Sequence, residues 1–430
     1  MSFQTGLSGL NASSKNLDVI GHNIANANTT GMKASRAEFS EMYASALGAA
    51  GGSNAGIGVE VANVAQLFTQ GNIKVTGNQL DLAINGGGFF QVEDSAGSTL
   101  YTRNGEFKLD KEGYIVTNNG SRMQGYATDG DGNRTSVVTQ DLILPTGSAI
   151  EPRSTGVTAT SPNSTGISIT ANLDARAEAL PAAAEPLTPE QKQYGTALNV
   201  YDAQGNAIPV QLYFIKSDAA VNTWEVAASL DGGDTMIGGA SLGTVVFDSA
   251  GQLDTTATTL GNITLPTATP PANIPSSDLS IPITLVDQTG TPTLTQFGSK
   301  FGVFDLQQDG YTSGELTGID IGENGVILAR YSNGVSMAEG QVALGNFRNL
   351  QGLQPINGGY WSETFSSGAV VLGGPQEGRL GLLRQSALEE SNVDMTQELV
   401  AMIVAQRAYQ ANAQTIKTQD QIQQTMVNLR

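Results

Sequence analysis

Glu398-Leu399-Val400-Ala401-Met402-Ile403-Val404-Ala405-Gln406-Arg407-Ala408-Tyr409-Gln410-Ala411-Asn412-Ala413-Gln414-Thr415-Ile416 is the stretch that decides how this chain is organised. Leu399, Met402, Tyr409, Ala413 and Ile416 fall alternately three and four apart, with Gln406 as the polar exception, which is the spacing of a narrow apolar stripe on a helix. Ile422, Met426 and Leu429 continue the stripe after a slip. Neither Pro nor Gly interrupts from about Leu388 to Leu429. The spacing therefore predicts a helix of about 40 residues, roughly 60 Å long at about 1.5 Å per residue. Ser391 or Asn392 is the expected N-cap, with Asp394 and Glu398 in the early turns, where the helix dipole favours acids.

The other end of the chain carries a matching stripe. Phe3, Leu7, Leu10, Leu17 and Ile24 follow the same alternation, with Ser14 and Gly21 in the two remaining places. So narrow a stripe needs a partner, either the other helix or a neighbouring copy of the chain.

Between the ends the texture is that of β structure: dense glycine, short runs of aromatic and β-branched residues, and turn signals about every ten residues. Tyr101 to Asp110 reads as a hairpin with Asn104-Gly105 at its tip. Similar units are expected at Leu198 to Ile215, turning at Gln204-Gly205-Asn206, and at Thr244 to Leu253, turning at Ser249-Ala250-Gly251. Two Pro/Ala/Thr-rich stretches, Ala175 to Pro189 and Pro266 to Pro282, read as long surface loops bounding an inserted domain.

The expected fold is mainly β with α-helical termini, the N- and C-terminal helices paired as a coiled coil and nested β-rich domains inserted between them. The expected division has four parts. Residues 1–30 and 386–430 form a terminal helical polymerisation domain, and residues 31–70 and 366–385 an extended connector. Residues 71–160 and 300–365 form an inner β domain, and residues 161–299 an inserted outer β domain.

Composition excludes several functions. The 430 residues carry 40 acidic and 21 basic side chains, a formal charge of -19, so no basic face for nucleic acid is expected. The ends are near neutral, with three basic and three acidic residues in 1–50 and four and five in 384–430, whereas the middle holds a net -18. Near-neutral ends suit surfaces that pack together, and an acidic middle suits a solvated exterior. There is no Cys and a single His, His22, which removes disulfides, thiol nucleophiles and multi-His zinc sites. Met1 to Leu10 has no charged leader, and no stretch reaches the roughly 18 apolar residues of a membrane span, so neither a signal peptide nor membrane insertion is expected.

Three local motifs read as structure. Gly86-Gly87-Gly88-Phe89-Phe90 lacks the Gly-Lys-Ser/Thr of a phosphate loop and reads as a glycine corner entering a strand. Asp129-Gly130-Asp131-Gly132-Asn133 begins like a calcium loop but has Arg134 and Gln140 where glycine and an acid are needed, so a hairpin turn is expected. His22, among Asn23, Asn26 and Asn28, reads as a hydrogen-bonded helix-end residue. No cofactor, metal or catalytic residue is expected.

Ala25-Asn26-Ala27-Asn28-Thr29-Thr30-Gly31-Met32-Lys33, following Leu17-Asp18-Val19-Ile20, closely resembles the signature of the axial proteins of the bacterial flagellum, the rod, hook and hook-junction subunits. Members of that family often have Asn where His22 stands and an aromatic residue where Met32 stands. Ser391-Asn392-Val393-Asp394, Glu398-Leu399-Val400, Ala405-Gln406-Arg407, the run Gln410 to Ile422 and the ending Val427-Asn428-Leu429-Arg430 resemble the hook members in particular. Gly87-Gly88-Phe89-Phe90, Tyr101-Thr102-Arg103-Asn104-Gly105 with Phe107, and Ser367-Gly368 before Gly381 are similar to the family's inner β domain and return path. Length favours hook over the shorter distal rod protein.

The resemblance implies a structural subunit that leaves the cell through the flagellar type III export apparatus and self-assembles, without catalysis, into a flexible tube carrying torque from rod to filament in swimming. The implied partners are other copies of the chain in a helical homopolymer, the distal rod protein, the hook cap protein and the hook-filament junction protein. The implied place is extracellular, in the flagellar hook and basal body. The residues expected at the polymerisation interface are Phe3, Leu7, Leu10, Leu17, Ile24, Leu399, Met402, Tyr409 and Ile416, and the signature residues are Ala25, Asn26, Asn28, Thr30, Gly31 and Lys33. A distal rod or junction subunit is the near alternative. An extracellular β-rich adhesin and a polysaccharide-active enzyme are the distant ones.

Overall fold

The computed structural model describes residues 3–43, 56–145, 149–156, 166–230, 232–265, 279–287 and 290–428. Leu429 and Arg430 of the expected C-terminal motif lie outside the described residues, as do the Met426 side chain, residues 266–278 of the second Pro-rich stretch and the expected domain border at 160/161. The chain divides into two compact units, one of residues 1–146, 319–329 and 337–430, the other of residues 147–318 and 330–336.

In the first unit the two terminal helices, α1 (Phe3–Ala25) and α2 (Met395–Asn428), pack together. At 34 residues α2 is about 51 Å long, and it starts later than its composition allows. Ala387–Glu389 is a strand paired with Ile73–Val75, and Asp394 is the cap, its Oδ1 accepting from Thr396 N at 2.8 Å and Gln397 N at 3.1 Å. The expected helix start near Leu388 and the caps Ser391 or Asn392 are corrected accordingly. The Asn392 side chain is occupied elsewhere: it accepts from Ala34 N and donates to Leu67 O, which fastens the segment before α2 to the chain leaving α1.

After α1 the chain forms an antiparallel ribbon, β1 (Ser35–Tyr43) on β2 (Gly56–Gln66). The outgoing and returning arms then run side by side, Ile73–Val75 on Ala387–Glu389 and Leu82–Asn85 on Leu382–Gln385. Strand Phe89–Glu93 follows Gly86 and Gly88, both at φ of 120°, so the expected glycine corner is present. It pairs with Thr99–Thr102, Arg122–Thr128 and Leu344–Asn346. Phe89, Tyr101, Phe347, Leu353 and Trp361 form a buried cluster there. Its rings meet edge to face, Tyr101 with Phe347 at 4.8 Å and Phe89 with Trp361 at 5.4 Å, worth about 0.5–1.5 kcal/mol each beyond the area buried.

Burial, with the charge of Glu363, pushes the Tyr101 phenol up to about 12. Between about pH 10 and 12 the unfolded chain therefore loses a proton that the folded chain keeps, and stability falls as pH rises through that window. A tyrosinate titration by absorbance should show one late step that is absent from Tyr101→Phe.

The Asn104-Gly105 hairpin does not form. Thr99–Thr102 pairs with Tyr360–Ser362, Phe107–Leu109 pairs with Ile115–Thr117, and Gly105 packs on the Leu82 backbone, its carbonyl accepting from Leu82 N at 3.0 Å. A Cβ at Gly105 would overlap the Leu82 carbonyl, so a long-range approach has claimed the Asn-Gly pair.

The second unit has one sheet in sequential order, Gly195–Tyr201, Ala207–Lys216, Thr223–Ser229, Gly243–Val246 and Thr259–Leu260. A second sheet centres on Ile167–Asp174. Trp224, Phe214, Val226, Leu212, Ile167 and Ile169 are among the side chains that fill the core. The hairpins expected at 198–215 and 244–253 are both present.

One turn recurs through the described residues, at Asp94, Asp110, Asp129, Asp202, Asp248 and Asp287. The Asp N–H donates to the carbonyl four residues on, and the Asp carbonyl accepts from a glycine three residues on. Those glycines, 97, 113, 132, 205, 251 and 290, have φ between 78° and 90°, a left-handed conformation that only glycine adopts at no cost. Asp129–Asn133 is one of these turns, joining strands Arg122–Thr128 and Arg134–Asp141.

Candidate functional site: the paired helices and their root

The helices run antiparallel, because Gly6 lies against Ile416, Gly9 against Asn412, and Asn23 against Glu398. Small residues let the backbones approach. A Cβ on Gly6 would come within 3.1 Å of Ile416, and one on Gly9 within 3.0 Å of the Asn412 amide, which also donates to Ser13 Oγ at 3.2 Å. Ala12, Ile20 and Asn23 of α1 and Ala405 of α2 are buried. Asn23 ties three elements, donating to Ser35 O and Glu398 Oε1 while accepting from Ser35 N.

The residues of the expected interface divide between partial burial and solvent. Leu10, Leu17, Ile24, Met402 and Ile416 are half-buried, and Phe3, Leu7, Leu399 and Tyr409 are exposed. Beside Leu399 (47 %), the sequence-adjacent Val400 (58 %), Ile403 (51 %) and Val404 (61 %) are exposed on the same flank of α2. Sequence reading missed these three because it followed the single stripe.

Where the helices meet the β structure, three charges are buried together. Glu389, 1 % exposed, accepts from Lys33 Nζ at 2.6 Å, from Arg103 Nη1 at 3.0 Å and from Gly71 N at 2.9 Å. Lys33, 2 % exposed, also donates to Thr69 O at 2.9 Å, and Arg103 donates to Gly86 O at 2.8 Å and lies over the Phe89 ring. Burial lowers the Lys33 ammonium from its ordinary value, against the opposing pull of Glu389, and lowers Arg103 for the same reason. Strand alternation places Glu389 on the face of Ala387, which is fully buried; nothing in Leu388-Glu389-Glu390 marks which glutamate turns inward.

The signature residues build the turn above this root. Ala25 ends α1, and the Asn26 Nδ2 donates to the His22 carbonyl at 2.9 Å; the His22 imidazole is exposed. Asn28 is exposed, Thr30 Oγ1 donates to Glu106 Oε1 at 2.8 Å, and Gly31 N donates to Glu389 O at 2.8 Å. Gly31 stands at φ 70° against the Arg103–Asn104 peptide.

Four family models match successive parts of the chain. "Flagella basal body rod protein" matches residues 3–33, and "Flagellar hook protein FlgE/F/G D1 domain" matches 83–172. "Flagellar basal body protein FlaE D2 domain" matches 172–311, and "Flagellar basal body rod FlgEFG protein C-terminal" matches 384–429. The flagellar hook protein FlgE of Escherichia coli is 38% identical over 430 residues, and that of Salmonella typhimurium 39% over 434, each alignment covering 100% of both chains. This chain belongs to the flagellar hook protein family. FlgE of Treponema pallidum, 33% identical over 466 residues, covers 99% of this chain and 98% of its own. The crystal structure of Helicobacter pylori flagellar hook protein FlgE2 has the same fold at TM-score 0.54 and 16% identity, covering 74% of this chain and 100% of that one.

Membership makes the chain a structural subunit of the flagellar hook. The paired helices and their buried root are therefore a scaffold. No described helix is long and apolar enough to cross a membrane.

Proposed function

We propose that copies of this chain assemble head to tail into the tubular, flexible joint of the hook, burying between neighbours the apolar side chains that α1 and α2 leave in water. The observation that carries this is the flank of Leu399, Val400, Ile403 and Val404, each about half exposed or more in the single chain, with Phe3 and Leu7 exposed on α1. Apolar surface of this kind is the free energy source for a non-closing helical contact. The chain works without catalysis, outside the cell, after passage through the flagellar type III export apparatus. Its neighbours are the distal rod, hook cap and hook-filament junction proteins. Within it, residues 1–30 with 386–430 polymerise, 31–70 with 366–385 connect, and 71–160 with 300–365 and 161–299 are the inner and outer β domains.

Electron microscopy of flagellar bodies from a strain lacking the gene tests the reading. Bodies ending at a completed rod with no hook are expected; hooks lacking filaments, truncated rods or intact flagella would overturn it. Met402→Asp puts a charge on the half-buried stripe. It should abolish hooks while leaving the strand signal in circular dichroism unchanged, and normal hooks from this variant would remove Met402 from the interface.

A further inference from the structure

Phe365 is fully exposed and makes no ring contact among the described residues, yet the loop that presents it is densely held. The buried Ser367 donates through Oγ to Thr364 O at 2.8 Å, and Thr364 N donates to Ser367 Oγ at 3.0 Å. Thr364 Oγ1 donates to Gly352 O, and Asn349 Nδ2 donates to Ser366 O at 2.9 Å. The loop is thus fixed before any partner arrives, and fixing a contact in advance removes much of the ordering cost of binding. An aromatic ring presented to water from a fixed loop is the form of an interface anchor.

The same unit carries a receptor of matching chemistry. A groove of about 610 Å³ is floored by the buried Phe347 and walled by Val371 and Leu380, with the exposed Arg348 and Arg379 at its rim. Neither arginine has an ion-pair partner among the described residues. A guanidinium beside an apolar slot suits an aromatic ring, on whose face it can stack. The chain's own Phe365 is in solvent and leaves this groove unfilled.

We propose that Phe365 of one copy seats in the Phe347–Val371–Leu380 groove of the next, a knob-in-groove contact between first units that adds to the contact of the helices. It rests on the reading that the chain polymerises. Each copy gives its knob to one neighbour and takes the knob of another in its groove, so the contact is head to tail and extends without closing.

The absence of Cys from the chain makes the test direct. Hooks assembled from Phe365→Cys/Leu380→Cys subunits and treated with a short bis-maleimide should give a ladder of covalent multimers, and each single variant should give none. Assembled hooks that yield no ladder, an intramolecular cross-link running as monomer, or dimers from Phe365→Cys alone would each overturn the contact while leaving polymerisation standing. Failure of the unsubstituted chain to polymerise would instead sink the reading beneath it. Phe365→Ser, whose lost ring touches nothing in the single chain, should keep its melting temperature and raise the critical concentration for assembly at least tenfold. An unchanged critical concentration would also overturn the contact.

Discussion

Glu389→Ala is expected to destabilise the first unit by about 3–5 kcal/mol, the usual cost of breaking a buried ion pair from one side. The carboxylate is the anion shared by Lys33 and Arg103, and its removal leaves two buried cations facing each other and the Gly71 N–H without its acceptor. Arg103 already has an unpaired buried Nε, so the site holds no spare acceptor. Lys33→Met should cost much less, because Glu389 keeps Arg103 and Gly71 as partners and a one-to-one pair remains. The chain has two tryptophans, Trp361 in the first unit and Trp224 in the second, so each unit reports its own unfolding. In urea, Glu389→Ala should move the Trp361 transition and leave that of Trp224 in place. Equal costs for the two substitutions, or a shift at Trp224, would contradict the assignment.

The parts of this architecture that were legible in the sequence are those fixed by local periodicity. Both terminal helices follow from alternating three- and four-residue spacing, the glycine corner before Phe89 from its neighbours, and the hairpins at 198–215 and 244–253 from turn residues. The Asp-x-x-Gly turn could have been found by its spacing alone, since Asp caps two backbone N–H groups and Gly supplies the positive φ. What escaped depends on partners distant in the sequence. Asn392 bonds Leu67, Glu389 bonds Lys33, and Gly105 packs on Leu82, and each contact overrides the local preference for helix or hairpin. The helix pairing itself was expected and is present, but the residues of its closest approach escaped for another reason. Apolar spacing marks where oily side chains lie, whereas α1 meets α2 partly through Gly6, Gly9 and Ser13, whose contribution is the absence of bulk.

Gly31→Ala carries the second large effect. Its φ of 70° costs an L-residue about 1–3 kcal/mol wherever it occurs. The added methyl would also lie 2.5 Å from the Arg103 carbonyl carbon and 2.6 Å from Asn104 N, backbone atoms that cannot rotate away. Relief requires moving the Arg103–Asn104 peptide or the turn that carries Gly31 N to Glu389 O, and either motion pulls on the buried charges below. Overpacking of this kind adds about 1–3 kcal/mol, for a total of about 2–6 kcal/mol. Because the substitution acts through the same three charges, its cost should not add to that of Glu389→Ala, and the double variant should be more stable than the sum predicts. Full additivity in the Trp361 urea transition would mean that the signature turn and the charged root are separate supports. The converse, a Gly31→Ala chain of unchanged stability, would mean that the turn can leave the left-handed conformation without disturbing Glu389.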